Sequence, residues 1–203
     1  MYTISLLGCG KLGFPIALEL ISQGYNIKGS TTTPSKINQL KQSGIIPYLI
    51  KIDEFVALDF FESDILLITL PFKKTFLDPN IYNHQIKLVY NKVKSSKIRH
   101  IVFISSSSVY PKDNQMYSPI DNIKPTNLRA KVLLECEDIL KSLSNISTII
   151  IRLGGIYGAK RKIKKSNKAR RLIEQSDAIR LIIDNIKKVD ENGSINGFEL
   201  KLI

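Results

Sequence analysis

The chain contains no tryptophan, only two histidines and only two cysteines in 203 residues. Cys9 and Cys136 are too few for a disulfide framework, so a reducing, cytoplasmic setting is expected. Cysteine and histidine together are sparse and scattered, which argues against a Cys/His zinc site; no metal is expected. No apolar run reaches the ~18 residues of a membrane span. The segment Tyr2–Leu7 is strand-like and follows no basic stretch, so neither a leader nor an anchor is expected. Acidic residues are also few: 18 Asp and Glu face 30 Lys and Arg, a net charge of +12.

That charge is concentrated. Residues 160–171, KRKIKKSNKARR, hold eight basic residues and no acid, whereas 172–203 is net negative. Charge runs are commonly solvated loops. Two functional readings stand beside that one: a clamp for an anionic small-molecule substrate, and phosphate contacts to nucleic acid. No aromatic residue interrupts 160–171, so a stacking platform is absent and nucleic acid is not the expected partner.

What is present is an alternation of short apolar runs with longer amphipathic ones. Strands are predicted at Tyr2–Leu7, Tyr25–Ser30, Ile45–Ile50, Asp64–Leu70, His100–Ser105, Ser147–Leu153 and Phe198–Ile203. Helices are predicted at Leu12–Gln23, Pro34–Ser43, Pro79–Ser96, Asn127–Leu143 and Ala169–Lys188. Strands that are apolar throughout imply a sheet covered on both faces. With right-handed crossovers this is an α/β fold, a doubly wound and mostly parallel Rossmann-type sheet. No linker divides the sequence, so residues 1–203 are read as one domain with a short extension after Gly158.

Gly8-Cys9-Gly10-Lys11-Leu12-Gly13 is a G-x-G-x-x-G loop placed between the first strand and the first helix. Gly8 permits a tight turn, Gly10 lets a pyrophosphate approach, and Gly13 lets helix and strand pack closely. The loop predicts a dinucleotide partner held over the helix N-terminus. An NAD site usually carries an acid near the end of the second strand, for the ribose 2′-hydroxyl. Here that end reads Ser30, Thr31, Thr32, Thr33, Pro34, Ser35, Lys36, with no acid between Glu19 and Asp53. Hydroxyls and Lys36 suit a 2′-phosphate, which favours NADP over NAD. The hydroxyls would equally serve a helix-capping turn. Ser105–Ser108 ends the fifth strand, where ligands of open α/β sheets bind.

Several of these stations, in order, resemble the extended short-chain dehydrogenase/reductases, the nucleotide-sugar epimerase/dehydratase group. They are the Gly8–Gly13 loop, HIVFISSSSVYP at 100–111, Pro125 followed by Lys131-x-x-x-Glu135, IIIRLGGIYG at 149–158, and DAIRLI at 177–182. The loop has the spacing of an atypical branch of that family, and the resemblance covers about residues 1–200. It implies NAD(P)-dependent redox or epimerase chemistry on a hydroxyl-bearing substrate. It assigns Ser106 to the serine that holds the reacting oxygen and Lys131 to the lysine that binds cofactor ribose. It also puts Leu70, Pro71 and Ser105 beside the cofactor, and it implies a homodimer through the helices around 80–96 and 127–143.

The sequence departs from the family twice. The acid/base tyrosine should stand four residues before Lys131, and that residue is Asn127, which cannot exchange a proton near neutral pH. Tyr110 and Tyr117 are the nearby alternatives; Tyr110 otherwise reads as a tyrosine packed beneath its loop. Second, 45 residues follow Gly158, fewer than the resemblance implies, so the substrate lid is expected to be reduced. Two readings stay open: an oxidoreductase or epimerase, and a non-catalytic NADP(H)-binding sensor or interaction module.

Overall fold

A computed structural model describes residues 2–54, 58–72, 78–111, 113, 117, 121–158, 172–191 and 199–202. The basic stretch at 160–171, the first residues of the helix predicted from Ala169, and Phe198 lie outside the described residues.

The first strand, β1 (Thr3–Leu7), leads into helix α1 (Gly13–Ser22) and strand β2 (Asn26–Thr31). A 3₁₀ turn, Pro34–Lys36, runs into α2 (Ile37–Gln42), then β3 (Ile46–Leu49). Strand β4 (Ile65–Ile68) is followed by α3 (Asn80–Lys94), β5 (His100–Ser106), α4 (Leu128–Lys141) and β6 (Ser147–Leu153). Two short strands, β7 (Gly155–Tyr157) and β8 (Leu172–Glu174), precede α5 (Gln175–Glu191) and β9 (Glu199–Leu202).

The main sheet runs β3-β2-β1-β4-β5-β6-β9, and its pairings are parallel. The chain builds outward from β1 to β3, then returns to β4 and builds the other way. The order therefore reverses between β1 and β4, where the carboxyl ends of the strands open a crevice.

Apolar runs fill both faces because alternate residues point oppositely. Leu66 and Ile68 of β4, with Ile101 and Phe103 of β5, pack under α3 and α4. Ile65, Leu67 and Val102 pack on the other side, under α1 and α5. The three polar residues that β1 and β6 bury are all satisfied: Ser5 Oγ donates to the Phe60 carbonyl, Thr148 Oγ1 to the Leu140 carbonyl, and Arg152 meets Glu137. Such pairing is required where water cannot reach.

One prediction is corrected here. Leu172–Glu174, expected inside a helix from Ala169, forms β8, paired in parallel with β7. Its exposed–buried–exposed pattern sends Ile173 into the core, and the partner strand supplies its backbone hydrogen bonds. Helix α5 begins only at Gln175, whose Nε2 donates to the Lys11 carbonyl at 2.9 Å.

Candidate functional site

A cleft of about 720 Å³ opens at the carboxyl ends of the strands, over the point where their order reverses. That is within the size range of small-molecule and cofactor pockets. Its floor begins with the glycine loop. Gly8 has φ +110°, a conformation L side chains rarely adopt. Its N–H donates to Ser30 Oγ at 2.9 Å, and Thr69 Oγ1 donates to its carbonyl at 2.7 Å. β2 and β4 therefore hold the loop from both sides.

Gly13 and Gly10 are glycines for different reasons. A Cβ on Gly13 would collide with the Gly8 carbonyl oxygen and lie 2.8 Å from both Leu6 and Thr69. A Cβ on Gly10 would meet no protein atom within 4 Å. Packing explains the first glycine and not the second; Gly10 lines the cleft, and a Cβ there would meet open space. No side chain caps α1, so its first turn faces that space uncapped. An anion such as a pyrophosphate fits there. Burial pushes the neighbouring Cys9 thiol up to about 12, Lys36 opposing the shift, so this cysteine is a neutral packing group.

The second-strand residues lie in the same wall. Ser30, Thr31, Thr32, Thr33 and Lys36 line the cleft. Thr31 Oγ1 accepts from the Thr33 N–H at 3.1 Å, while Thr33, the residue before Pro34, makes no side-chain cap bond. The Thr33 hydroxyl is thus not consumed by capping. The fold adds what sequence order hid: Lys51 and Asp53, beyond β3, line the cleft too.

The family-type residues divide. Leu70, Pro71, Ser105 and Ser106 line the cleft; Tyr110, Asn127 and Lys131 are not part of its wall. Ser106 Oγ accepts from the Ser108 N–H at 3.2 Å, which leaves the hydroxyl hydrogen for another acceptor. Ser105 is different: its hydroxyl donates to buried Glu137 Oε1 at 2.6 Å.

Glu137 is the centre of a buried network. Arg152 donates to it through Nε at 3.0 and 3.1 Å and through Nη2 at 2.6 Å. Arg152 Nη1 donates to the Tyr110 hydroxyl at 2.8 Å. Burial works against the Arg152 charge, but Glu137 outweighs it and holds the guanidinium above its ordinary range. Tyr110 is 2% exposed and stacks on Tyr117, whose hydroxyl donates to Asp113. Tyr110, the alternative acid/base, is thus placed among buried groups and outside the cleft wall, its hydroxyl accepting from Arg152.

Lys131 is likewise placed outside the cleft wall. It sits on an exposed face of α4, with Nζ 3.9 Å from Glu135 one turn on. Asn127 explains why. Its side chain accepts from the Ala130 N–H at 2.9 Å, so it caps α4 and stands outside the helix. The α4 residues that face the cleft are Arg129 and Leu133. Arg129 Cζ lies 4.4 Å from the centre of the Phe72 ring, and Phe72 packs on Tyr82 at 5.0 Å. Tyr82 is buried, donates to the Leu70 carbonyl at 3.1 Å, and is held well above the usual phenol range by that burial. Gln85 of α3 lines the same end. No motif marked Arg129 or Gln85; helix phase, read from the cap, was the one available signal.

Residues 3–119 match the family model described as the NAD binding domain of 6-phosphogluconate dehydrogenase. The chain belongs to that family. This NAD(P)-binding domain is also 29% identical over 164 residues to Protein YeeZ of Escherichia coli (strain K12). That alignment covers 78% of the chain and 60% of the relative, so the chain spans about three-fifths of the relative's length. Among solved structures it is similar to MoeE5 in complex with UDP-glucuronic acid and NAD (TM-score 0.81, 15% identity, covering 100% of this chain and 76% of that one). It is similar also to UDP-glucuronic acid 4-epimerase from Bacillus cereus in complex with UDP-glucuronic acid and NAD (TM-score 0.75, 17% identity, 91% and 73%). At these identities the likeness establishes the Rossmann-type fold.

Proposed function

We propose that the chain forms the NADP-binding part of an oxidoreductase or epimerase of the nucleotide-sugar epimerase/dehydratase type. The observation that carries this reading is Gly10: the protein's own packing leaves its Cβ position open, while Gly8 and Gly13 are fixed by structure. When bound, the dinucleotide supplies a hydride donor or acceptor. The chain's residues hold and orient. The loop and the start of α1 take the pyrophosphate. Thr31–Thr33 and Lys36 take the ribose end, where Lys36 and Lys51 outnumber Asp53 among the residues lining the cleft, and this supports a 2′-phosphate. Ser106 donates its hydroxyl hydrogen to the reacting oxygen of a hydroxyl-bearing substrate. Cys9 and Cys136 are both free and buried, consistent with a cytoplasmic protein.

The test is fluorescence titration of reduced cofactor, which is clean because the chain has no tryptophan. NADPH should bind saturably and more tightly than NADH, and Gly10→Leu should abolish both. Loss or gain of reduced-nicotinamide absorbance with a sugar-nucleotide panel then reads the redox step. Absence of saturable NADPH binding to the wild-type chain would overturn the reading.

A further inference from the structure

We propose that Arg129 binds the anionic group, a carboxylate or a phosphate, of a second ligand lying in the cleft beside the dinucleotide. The inference rests on the cofactor reading above and extends it to the substrate. Three observations carry it.

The first is the state of Arg129 beside the buried Arg152 and the surface arginines, of which Arg99 donates to the Ile98 carbonyl at 3.3 Å. Arg152, 3% exposed, is neutralised by bidentate pairing with Glu137. Arg180, on the surface, pairs with Asp177. Arg129 is half-buried and lines the cleft, yet among the described residues no carboxylate forms an ion pair with it. Among the described residues its guanidinium lies over the face of Phe72. An aromatic face steadies a cation but does not replace a hydrogen-bonding anion. Removing a guanidinium from water without a partner is costly, and an incoming anion relieves that cost. Burial accordingly pulls this arginine below its ordinary range, with Tyr82 opposing.

The second is position. The glycine loop follows β1 and the hydroxyl-rich turn follows β2, on one side of the reversal in strand order. Phe72 follows β4, Ser106 ends β5 and Arg129 opens α4, on the other side. A dinucleotide lies across such a reversal, with its phosphates over the loop. Its negative charges then fall at the pyrophosphate and, in NADP, beside Lys36. The nicotinamide end brings no anion to Arg129, so the anion must arrive on another molecule.

The third is what surrounds the guanidinium. Gln85 and Ser106 line the same end and supply uncharged donors, while Leu133 and Phe72 give it apolar walls. A planar guanidinium fork among such groups suits a carboxylate or a phosphate. A ligand carrying both an anionic group and a hydroxyl would put its charge on Arg129 and its hydroxyl on Ser106.

The experiment titrates inorganic phosphate and glycolate, separately, into the NADPH-loaded protein in an otherwise anion-poor buffer, followed by calorimetry and by NADPH fluorescence. The wild type should bind at least one of them saturably. Arg129→Gln should weaken that binding about tenfold or more, Arg129→Lys less, with NADPH affinity changed less than twofold in both. Unchanged NADPH affinity and circular dichroism show the variants folded. Loss of NADPH but not NADH affinity would mean that Arg129 holds the 2′-phosphate; equal loss of both would mean the pyrophosphate. Either result, or no saturable binding of phosphate or glycolate to the wild type, overturns the proposal. If NADPH itself fails to bind, the functional reading falls, and the same titration of the apo protein still decides the anion. Binding at Arg129 is then lost in Arg129→Gln and kept in Gly10→Leu, whereas binding at the glycine loop shows the reverse.

Discussion

Glu137→Gln is the most informative single change, because it removes one charge and almost no volume. Glu137 is fully buried and Arg152 is 3% exposed, so solvent does not screen the pair. The carboxylate receives three close N–H contacts from Arg152 and one hydroxyl from Ser105. With glutamine in place, the guanidinium stays buried without its countercharge, and the amide nitrogen opposes one of its donors. Leaving one member of a buried pair uncompensated costs about 3–5 kcal/mol. Domains of this kind have total stabilities of about 5–15 kcal/mol, so roughly a fifth or more is at stake. At roughly 2–4 °C per kcal/mol for a chain of this size, the melting temperature should fall by about 6–20 °C. Urea and thermal unfolding followed by circular dichroism measure both quantities. Replacing both residues by apolar ones, Glu137→Leu with Arg152→Met, should cost less than Glu137→Gln alone, since neither charge is then stranded. A Glu137→Gln cost below about 1 kcal/mol would refute the picture of a dry, mutually dependent pair.

Three other outcomes follow from named contacts. Gly10→Leu should abolish NADPH binding with a melting temperature near that of the wild type, whereas Gly13→Ala, which drives a Cβ into the Gly8 carbonyl, should cost about 3 kcal/mol in unfolding titrations. Asn127→Tyr removes the α4 cap, so it should destabilise by about 1 kcal/mol and leave turnover of a sugar-nucleotide panel unchanged; a gain in turnover would show that position 127 reaches the cleft. Burial lowers the His100 pKa below its ordinary value, Asp64 opposing, so the folded state prefers neutral imidazole. Its contribution is present above the unfolded value near 6.5 and is lost as pH falls through the lower folded value. His100→Gln should therefore flatten the decline of stability on the acid side of neutrality in a pH series of urea unfolding curves.

The strand ladder was legible because each central strand is apolar on both faces, and burial on both faces leaves no polar alternation to confuse its limits. The glycine loop was legible because a strand ends at Leu7 and a helix starts at Gly13 on either side of it. β8 was not: Leu172–Glu174 is too short for any period, and it is a strand only because Gly155–Tyr157 lies alongside. Asp53 and Lys51 were missed for a related reason. They reach the cleft by the parallel register of β3 on β2, a tertiary fact with no local signature. Ser105 and Tyr110 are polar residues at a ligand-bearing strand end, yet Ser105 donates to Glu137 and Tyr110 accepts from Arg152. Residue type and place in a motif do not distinguish a hydroxyl that faces a ligand from one that joins a buried ion pair.

The α4 helix shows how one residue moves a site. A motif of spaced residues carries function only if helix phase presents those residues to the ligand, and phase is set where the helix starts. Asn127 has extended backbone (φ −158°, ψ 163°) and spends its side chain on the Ala130 N–H. The helix then begins at Leu128, and residues four apart share a face from there. The stripe that meets the cleft is Arg129 with Leu133; the stripe of Lys131 and Glu135 meets solvent and α3, where Glu135 accepts from Asn83 at 2.8 Å. The residue standing where the resemblance places a tyrosine is a cap, and the cation that α4 presents to the cleft is a permanently charged arginine. An arginine keeps its proton under all physiological conditions, so it cannot relay one to a substrate alcohol. What it does well is hold an anion in a fixed orientation. On the reading proposed above, the α4 side of this cleft binds and orients, and the hydroxyl of Ser106 meets the reacting oxygen.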